Sequence, residues 1–468
     1  MERLKKVGVV KAYNASEIKT SRVGVGFEKL DRNAFDPEKS YDKVAALGVK
    51  WARIQSGWER TEQVKGVYDF SWLDTIVDNL LKRNLIPWIN VSYGNPLYTE
   101  KAKEVFGSVG CPPVATEAEL TAWGNYVRAL VEHFAGRVEY FEIWNEPDGK
   151  SCWKIEHSGK AYGCLVQISA KVAREVNPNA KIIAGVQNKP NLAWAADFFS
   201  SGAGSDIDCY SFHGYGVDEF KHSGFIKALR AIGRKYNPDL EIIQGEGGTQ
   251  SRSGGKGALK FGAWTKHRQA KYMLRRFMVD FQMDVKFSSW FSSIDMMEAL
   301  NGVRGQLSTW LDFGYFGVLQ ADFDENGCAT GEYSEKPSYR TLQVIASAFR
   351  EEFTVTDLPV TPVTLPSPRL YHDDEKERDI CMTGFCKPNG SMALAYWKST
   401  DILTTDYYGT ASFVSAAPGD IRLVDLMDGT IYEIPEDMIE VNGEGASVTL
   451  KNLPLLDYPL LITFGNFL

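Results

Sequence analysis

From about residue 22 to residue 351, short apolar runs alternate with longer stretches of helical periodicity, and that alternation constrains the fold more than any other feature of the chain. Strand candidates fall at 23–27, 49–54, 86–91, 138–144, 182–186, 209–213, 242–245 and 287–291. Helix candidates lie between or after them at 39–47, at a periodic stretch opened by Ser71 as N-cap, and at 117–135, 159–176, 192–200, 219–236, 265–282 and 336–349. Strands separated by helices pair in parallel through crossovers. Eight of them close a (β/α)₈ barrel, whereas a doubly wound sheet would carry a glycine-rich phosphate loop after its first strand, and GVGFEKLDRN lacks the GxGxxG spacing. The expected fold class is therefore α/β, a (β/α)₈ TIM barrel over 22–351.

Beyond residue 352 helical periodicity disappears. Runs at 392–397, 421–426, 430–434, 446–450 and 460–464 cluster β-formers around the turn signals Asp428-Gly429 and Asn442-Gly443, which predicts a C-terminal β-sandwich over 352–468. The segment 1–21 is expected to add a strand at 7–13 to that sandwich. Three connections, 94–116, 247–262 and 295–335, follow strands and would hang over the C-terminal mouth of the barrel, where sites lie in this fold.

Net charge narrows the partner. The chain has 468 residues and a formal charge of -8, so its surface offers no attraction to nucleic acid or to an anionic membrane, and a neutral or weakly charged ligand is expected. No run of eighteen apolar residues suggests a membrane span. The opening MERLKKVGVVKAYNAS has no apolar core or cleavage site of a signal peptide. Seven cysteines without CxxC spacing disfavour a disulfide framework and a structural zinc, although Cys381 and Cys386 could be bridged. A reducing, cytoplasmic compartment is favoured over an exported one. No cofactor and no catalytic metal are expected, and the oligomeric state is not readable.

The candidate site begins with YFEIWNEPDG, residues 140–149. An apolar, aromatic strand stops at Trp144-Asn145-Glu146-Pro147, where proline forbids further ladder bonding, and Glu146 is held at the strand end. A second acid, Glu246 in EIIQGEGGTQS, stands in the matching place after the seventh strand. Alone, either glutamate would pass for a salt-bridged strand end. Strands four and seven stand nearly opposite in an eight-membered ring, and two carboxylates across a cleft suit glycosidic cleavage, one protonating the leaving oxygen and one attacking the anomeric carbon or activating water. Gly245, Gly247 and Gly248 would let a bulky sugar approach Glu246.

With these residues in place, the chain over 22–350 resembles the retaining clan A glycoside hydrolases, most specifically through Trp144-Asn145-Glu146-Pro147. That resemblance implies Glu146 as acid/base, Glu246 as nucleophile, Asn145 on the sugar 2-hydroxyl and Arg53 in support of the ionised nucleophile. His213 and Tyr215 look like the H-x-Y pair of family 39, which groups β-xylosidases, α-L-iduronidases and exopolysaccharide hydrolases, and Trp290 resembles the aromatic floor under the sugar. Arg53 would hold Glu246 ionised, while Trp144 and other aromatics would raise Glu146 toward neutrality. Tyr215 would donate its phenol to Glu246. Tyr93, Asn95, Trp58, Gln187 and Glu298 are further candidates for the sugar subsite, and Trp153 and Trp310 for stacking on further rings.

The reading is a retaining hydrolase acting on an oligosaccharide, polysaccharide or glycoside, with an equatorial β-linkage cleaved. An inverting hydrolase needs more room between the acids. A transglycosylase would use the same residues, and a carbohydrate-binding barrel without catalysis is the alternative from another class. Sugar identity and exo or endo action depend on loops that the sequence does not place.

Overall fold

The computed structural model describes residues 1, 3–156, 158–363 and 380–468. Eight parallel strands close into a barrel: Val23–Gly26, Trp51–Gln55, Ile86–Val91, Tyr140–Ile143, Lys181–Gln187, Cys209–His213, Glu241–Gly247 and Ser288–Trp290. The ring shuts where Val23–Gly26 pairs with Trp51–Gln55 on one side and with Ser288–Trp290 on the other. Gly24 is required at that seam, since a Cβ there would lie 2.8 Å from the Cβ of Trp51.

The helices form where capping and periodicity agree. Glu117–His133 starts after Thr116, whose hydroxyl accepts the Glu119 N–H at 3.2 Å, carries Glu117 and Glu119 in its first turn and ends on His133, so both ends suit the macrodipole. Gly159–Val176 starts after Ser158 in the same way. The helix expected to be capped by Ser71 begins at Ser71 instead, because the Asp69 carboxylate accepts the Ser71 N–H at 2.9 Å and moves the cap outward.

At the N-terminal end the barrel interior is filled by apolar side chains, Trp51, Trp88, Tyr140, Ile183, Cys209, Ile243 and Phe287. Trp51 stacks on Phe287 with ring centres 4.1 Å apart and planes at 11°. This plug leaves the interior solid, so a ligand can enter only from the other end.

Two antiparallel sheets follow the barrel. Seven strands run in the order Lys5–Val9, Thr430–Glu433, Ile421–Asp425, Leu460–Phe464, Met392–Lys398, Ile380–Cys386, Thr354–Val355, and four in the order Val360–Pro362, Tyr408–Ser415, Ser447–Leu456, Ile439–Asn442. Their inner faces share a core that includes Leu394, Tyr396, Phe413, Leu423, Leu450 and Ile462. The chain as a whole is a TIM barrel with additional antiparallel sheets. On the barrel helix Lys266–Gln282, Lys271 reaches Asp457 at 2.8 Å and Asp406 at 2.7 Å, which ties the two parts together.

The long connection 295–335 carries structure of its own, the ribbons Met296–Met297 with Phe313–Gly314 and Leu319–Phe323 with Ala329–Glu335. The hairpin signal was in the sequence at Asn326-Gly327, where Gly327 has φ 88°. Cys381 and Cys386 are free thiols on one strand, opposite Trp397 and Met392 respectively, so no bridge joins them.

Candidate active site

Each acid is presented by a local irregularity at a strand end. After Ile143 the chain takes two non-glycine residues into the left-handed region, Trp144 at φ 65° and Glu146 at φ 46°. Such positions cost on the order of 1–3 kcal/mol each and persist only where surrounding structure dictates them. Here the dictating contacts are those of Trp144, whose indole N–H donates to the Cys152 carbonyl at 2.8 Å and whose ring packs edge-on or tilted against Tyr93, Trp123 and Trp153. At the end of strand seven the pairing slips: Phe212 faces Gln244, but His213 faces Glu246. The extra residue, Gly245, makes a bulge that re-aims Glu246.

Arg53, fully buried at the second strand, is the hub beneath both acids. Its Nε donates to Glu142 at 2.7 Å, Nη1 approaches Glu246 at 2.9 Å and Glu28 at 3.0 Å, and Nη2 donates to Asn145 Oδ1 at 2.8 Å. Asn145 Nδ2 donates onward to the Tyr93 hydroxyl at 2.9 Å. Tyr215 donates its phenol to the other oxygen of Glu246. His213 Nδ1 lies 2.8 Å from Glu146 and 3.7 Å from Glu246, and one carboxylate oxygen of each glutamate lies within 4.8 Å of the other.

The electrostatics depart from the sequence expectation for Glu146. Burial pushes its carboxyl up, but the hydrogen bond and charge of His213, with help from Asn188 and Cys152, outweigh it and hold Glu146 below the usual range. Burial pulls His213 down, and the two glutamates more than reverse that, leaving the imidazole above its ordinary value. The expectation failed because the Trp144 ring turns away into the aromatic core. Two neighbouring acids are the ones pushed toward neutrality: burial takes Glu28 to about 7 against the pull of Arg53, and Glu298 to about 7 against the pull of Lys29.

A cavity of about 640 Å³ opens over this network at the C-terminal mouth. Of the expected residues, Glu146, Glu246, Asn145, Tyr215, Tyr93 and Glu298 line it, and Arg53 and His213 lie directly behind its wall. Trp58 and Asn95 face a neighbouring cavity of about 520 Å³ that shares Arg32 and Tyr93 with the main one. There Trp58 is stacked between Tyr98 and Tyr126 and Asn95 donates to the Glu62 carbonyl at 2.8 Å. Gln187 is buried between the Tyr210 hydroxyl and the Asn191 carbonyl, away from the cavity. Trp153 packs against Trp144 and Tyr162 in the core, and Trp310 stacks on Phe106.

Trp290 does not line the cavity either. Strand alternation turns it outward, against Tyr272, and brings the next residue, Phe291, to the cavity wall with Phe316. The glycines Gly245, Gly247 and Gly248, at and just past the end of strand seven, serve the protein rather than a sugar. A Cβ on Gly245 would meet Ser211 at 2.3 Å, one on Gly247 the Gln244 side chain at 2.2 Å, and one on Gly248 the Phe291 carbonyl at 2.0 Å.

Sequence reasoning missed Glu28, Lys29, Arg32 and Gln55, all lining the cavity. Glu28 and Gln55 follow or end the first two strands, so the rule that exposed the two acids would also have found them. A larger recess of about 850 Å³ at the opposite end, near Arg22, Trp51 and Lys387, has among its lining the ion pairs Arg22 with Asp284, Lys286 with Glu241 and Lys387 with Glu351. Glu146, His213 and Glu246 are also ligand types within reach of one metal ion. Arg53 and Tyr215 already occupy the oxygens of Glu246, and a guanidinium 2.9 Å away opposes a dication there.

Comparison with known proteins places this geometry in context. Residues 33–232 match the family described as glycosyl hydrolases family 39, a span that holds Arg53, Glu146, His213 and Tyr215 and stops short of Glu246. A β-xylosidase of Geobacillus stearothermophilus is 26% identical over 210 residues, 42% of this chain and 41% of that enzyme. An endo-1,4-β-xylanase C of Phanerodontia chrysosporium is 32% identical over 130 residues, 27% of this chain and 30% of that enzyme. The match thus spans less than half the length of these curated relatives. In fold, a family 39 glycoside hydrolase of Bacteroides cellulosilyticus WH2 superposes with a TM-score of 0.63 at 18% identity, covering 95% of this chain and 80% of the other. A GH39 β-xylosidase of Caulobacter crescentus gives 0.58 at 16% identity, with 99% of each chain covered. The chain resembles family 39 of the clan A retaining glycoside hydrolases in sequence over its first half and in fold over nearly its whole length.

Proposed function

We propose that this chain is a retaining glycoside hydrolase that cleaves a β-glycosidic bond by double displacement, with Glu246 as nucleophile and Glu146 as acid/base. The observation that carries the reading is the approach of the two carboxylates to within 4.8 Å, oxygen to oxygen. Retaining pairs stand about 5–5.5 Å apart and inverting pairs about 6.5–9.5 Å, the extra gap admitting a water.

The neighbours fit a division of labour. Arg53 and the Tyr215 phenol bond the two oxygens of Glu246, which favours its charged form and aims it at an anomeric carbon above. When Glu246 forms the glycosyl ester, its charge disappears and both donors are freed. Glu146 shares a proton with His213 across 2.8 Å. That dyad delivers a proton from Glu146 to the departing oxygen and recovers one from the water that ends the cycle. Asn145, fixed by Arg53 and Tyr93, holds the sugar beside the nucleophile. Phe291 and Phe316 give the cavity an apolar wall for the sugar face.

Because its curated relatives are named β-xylosidase and endo-1,4-β-xylanase, xylosides head the panel of substrates. Nitrophenyl glycosides, with the product anomer followed by NMR, test the proposal: the first-formed sugar should keep the β configuration. Formation of the α anomer first would replace retention by inversion. Glu146→Ala should slow glycosides with poor leaving groups by about 10²–10⁴-fold while largely sparing activated phenols, because only the former need the proton.

A further inference from the structure

Tyr215 is carried by a short stretch with no regular structure of its own. Between the sixth strand, Cys209–His213, and the helix Glu219–Gly233 the chain passes through residues 214–218, and Gly216 and Val217 are exposed. One anchor is the backbone of Glu246, whose carbonyl accepts the Gly214 N–H at 2.7 Å. The carbonyls of Gly214 and Gly216, which flank Tyr215, are both taken up by the helix Lys266–Gln282. Tyr272 holds its hydroxyl 2.7 Å from the Gly214 oxygen and 3.0 Å from that of Gly216. A phenol has one proton to give, so two carbonyls need a second donor, and Arg276 Nη2 supplies it to Gly216.

Spacing along the helix accounts for this grip. Residues 272, 276 and 280 recur every four positions and share one face, on which Asp280 pairs with His222 at 2.6 Å. Tyr272 and Arg276 are both buried, and Trp264 and Trp290 meet the Tyr272 ring edge-on at 5.9 and 6.1 Å, which gives the outward-turned Trp290 a task. The adjacent pair, 271 and 275, faces the antiparallel sheets: Lys271 reaches Asp457 and Asp406, and Arg275 donates to the Thr400 carbonyl at 2.9 Å and lies 2.9 Å from Glu219. The helix is thus rooted in the sheets on one side and grips the Tyr215 turn on the other. Arg276 Nε and Nη1 find no hydrogen-bond partner among the described residues, and a buried cation so sparsely bonded is a poor source of stability. What it does perform is the holding of a backbone carbonyl next to Tyr215.

We infer that Tyr272 and Arg276 are positioning residues for the reaction, fixing the two carbonyls that flank Tyr215 so that its phenol stays on Glu246. Neither lines the cavity, so both act through Tyr215, and the inference rests on the proposed role of Glu246 as nucleophile with Tyr215 as its donor.

The test uses the full chain with Tyr272→Phe, which removes one hydroxyl, and Arg276→Met, which removes the guanidinium and keeps most of the length. On an activated aryl glycoside kcat/KM reports the attack by Glu246, and per folded molecule each variant should lose about fivefold or more, the net worth of one hydrogen bond. In a Tyr215→Phe background the same changes should cost less than about twofold, because the contact they protect is already gone. Arg276→Lys, which keeps a donor, should recover most of the rate. Hydrogen exchange read by mass spectrometry needs no turnover: the peptide spanning 213–217 should exchange about fivefold or more faster in both variants, with Ile86–Val91 unchanged. Equal losses with and without the Tyr215 phenol would overturn the inference, as would unchanged exchange over 213–217. If the parent protein hydrolyses no glycoside, the proposed reaction falls, and the exchange rates alone decide whether the turn is held in this way.

Discussion

The two ends of the barrel interior grow from the same eight strands and are held by opposite means. At the floor, Trp51, Trp88, Tyr140 and Phe287 fill the space with rings, and the burial of those rings stabilises that end. At the mouth, a few residues further along the same strands, Arg53 faces Glu28, Glu142 and Glu246, while two left-handed residues and a bulge aim the acids upward. Buried charges contribute little net stability, because desolvation offsets their attraction. The barrel thus separates the task of staying folded from the task of presenting reactive groups, and places strain and charge where the apolar plug can hold them.

That contrast can be broken at either end. The largest effect expected is at the mouth: Glu246→Ala should lower turnover at least about a thousandfold, with the unfolding midpoint nearly unchanged. Near-normal rates on folded protein would remove the nucleophile assignment. At the floor, Phe287→Ala should cost about 3–5 kcal/mol in urea unfolding while leaving the rate per folded molecule close to that of the parent. A matching loss of rate at low denaturant would show that the plug and the site are not separable.

The His213–Glu146 pair sharpens the comparison with a smaller, pH-dependent effect. His213 lies above its ordinary 6.5, so its contribution is full below 6.5 and is lost as pH rises through the raised value. Glu146 lies below its ordinary 4.5, so its contribution is full above 4.5 and is lost as pH falls through the lowered value. The pair accordingly stabilises most between 4.5 and 6.5. In His213→Ala that plateau should vanish from the stability profile, and the basic limb of kcat/KM should move to lower pH as Glu146 titrates alone. An unmoved limb would take His213 out of the proton-sharing pair.

Much of the barrel was legible because its signals are local. The helices Gly159–Val176 and Leu192–Ser200 and the strands Ile86–Val91 and Cys209–His213 fall where periodicity and caps put them. The position of Glu146 and Glu246 at strand ends was legible for the same reason. What misled the reading were side-chain directions. Trp290 and Phe291 differ by one residue on a strand, and only pairing decides which faces the cavity. Trp153 and Trp310 sit in mouth loops, as the sequence suggested, yet turn inward onto Trp144 and Phe106.

The sequence by itself determined the eightfold alternation, the sandwich-forming tail and the two strand-end glutamates, since each depends on the order of neighbours along the chain. Only the tertiary structure decided that Arg53 would lie under Glu246 and that His213 rather than Trp144 would govern the proton on Glu146. The reason is that Coulomb forces and desolvation depend on distances through space, and residues as far apart as 53, 146 and 246 acquire those distances only when the ring closes.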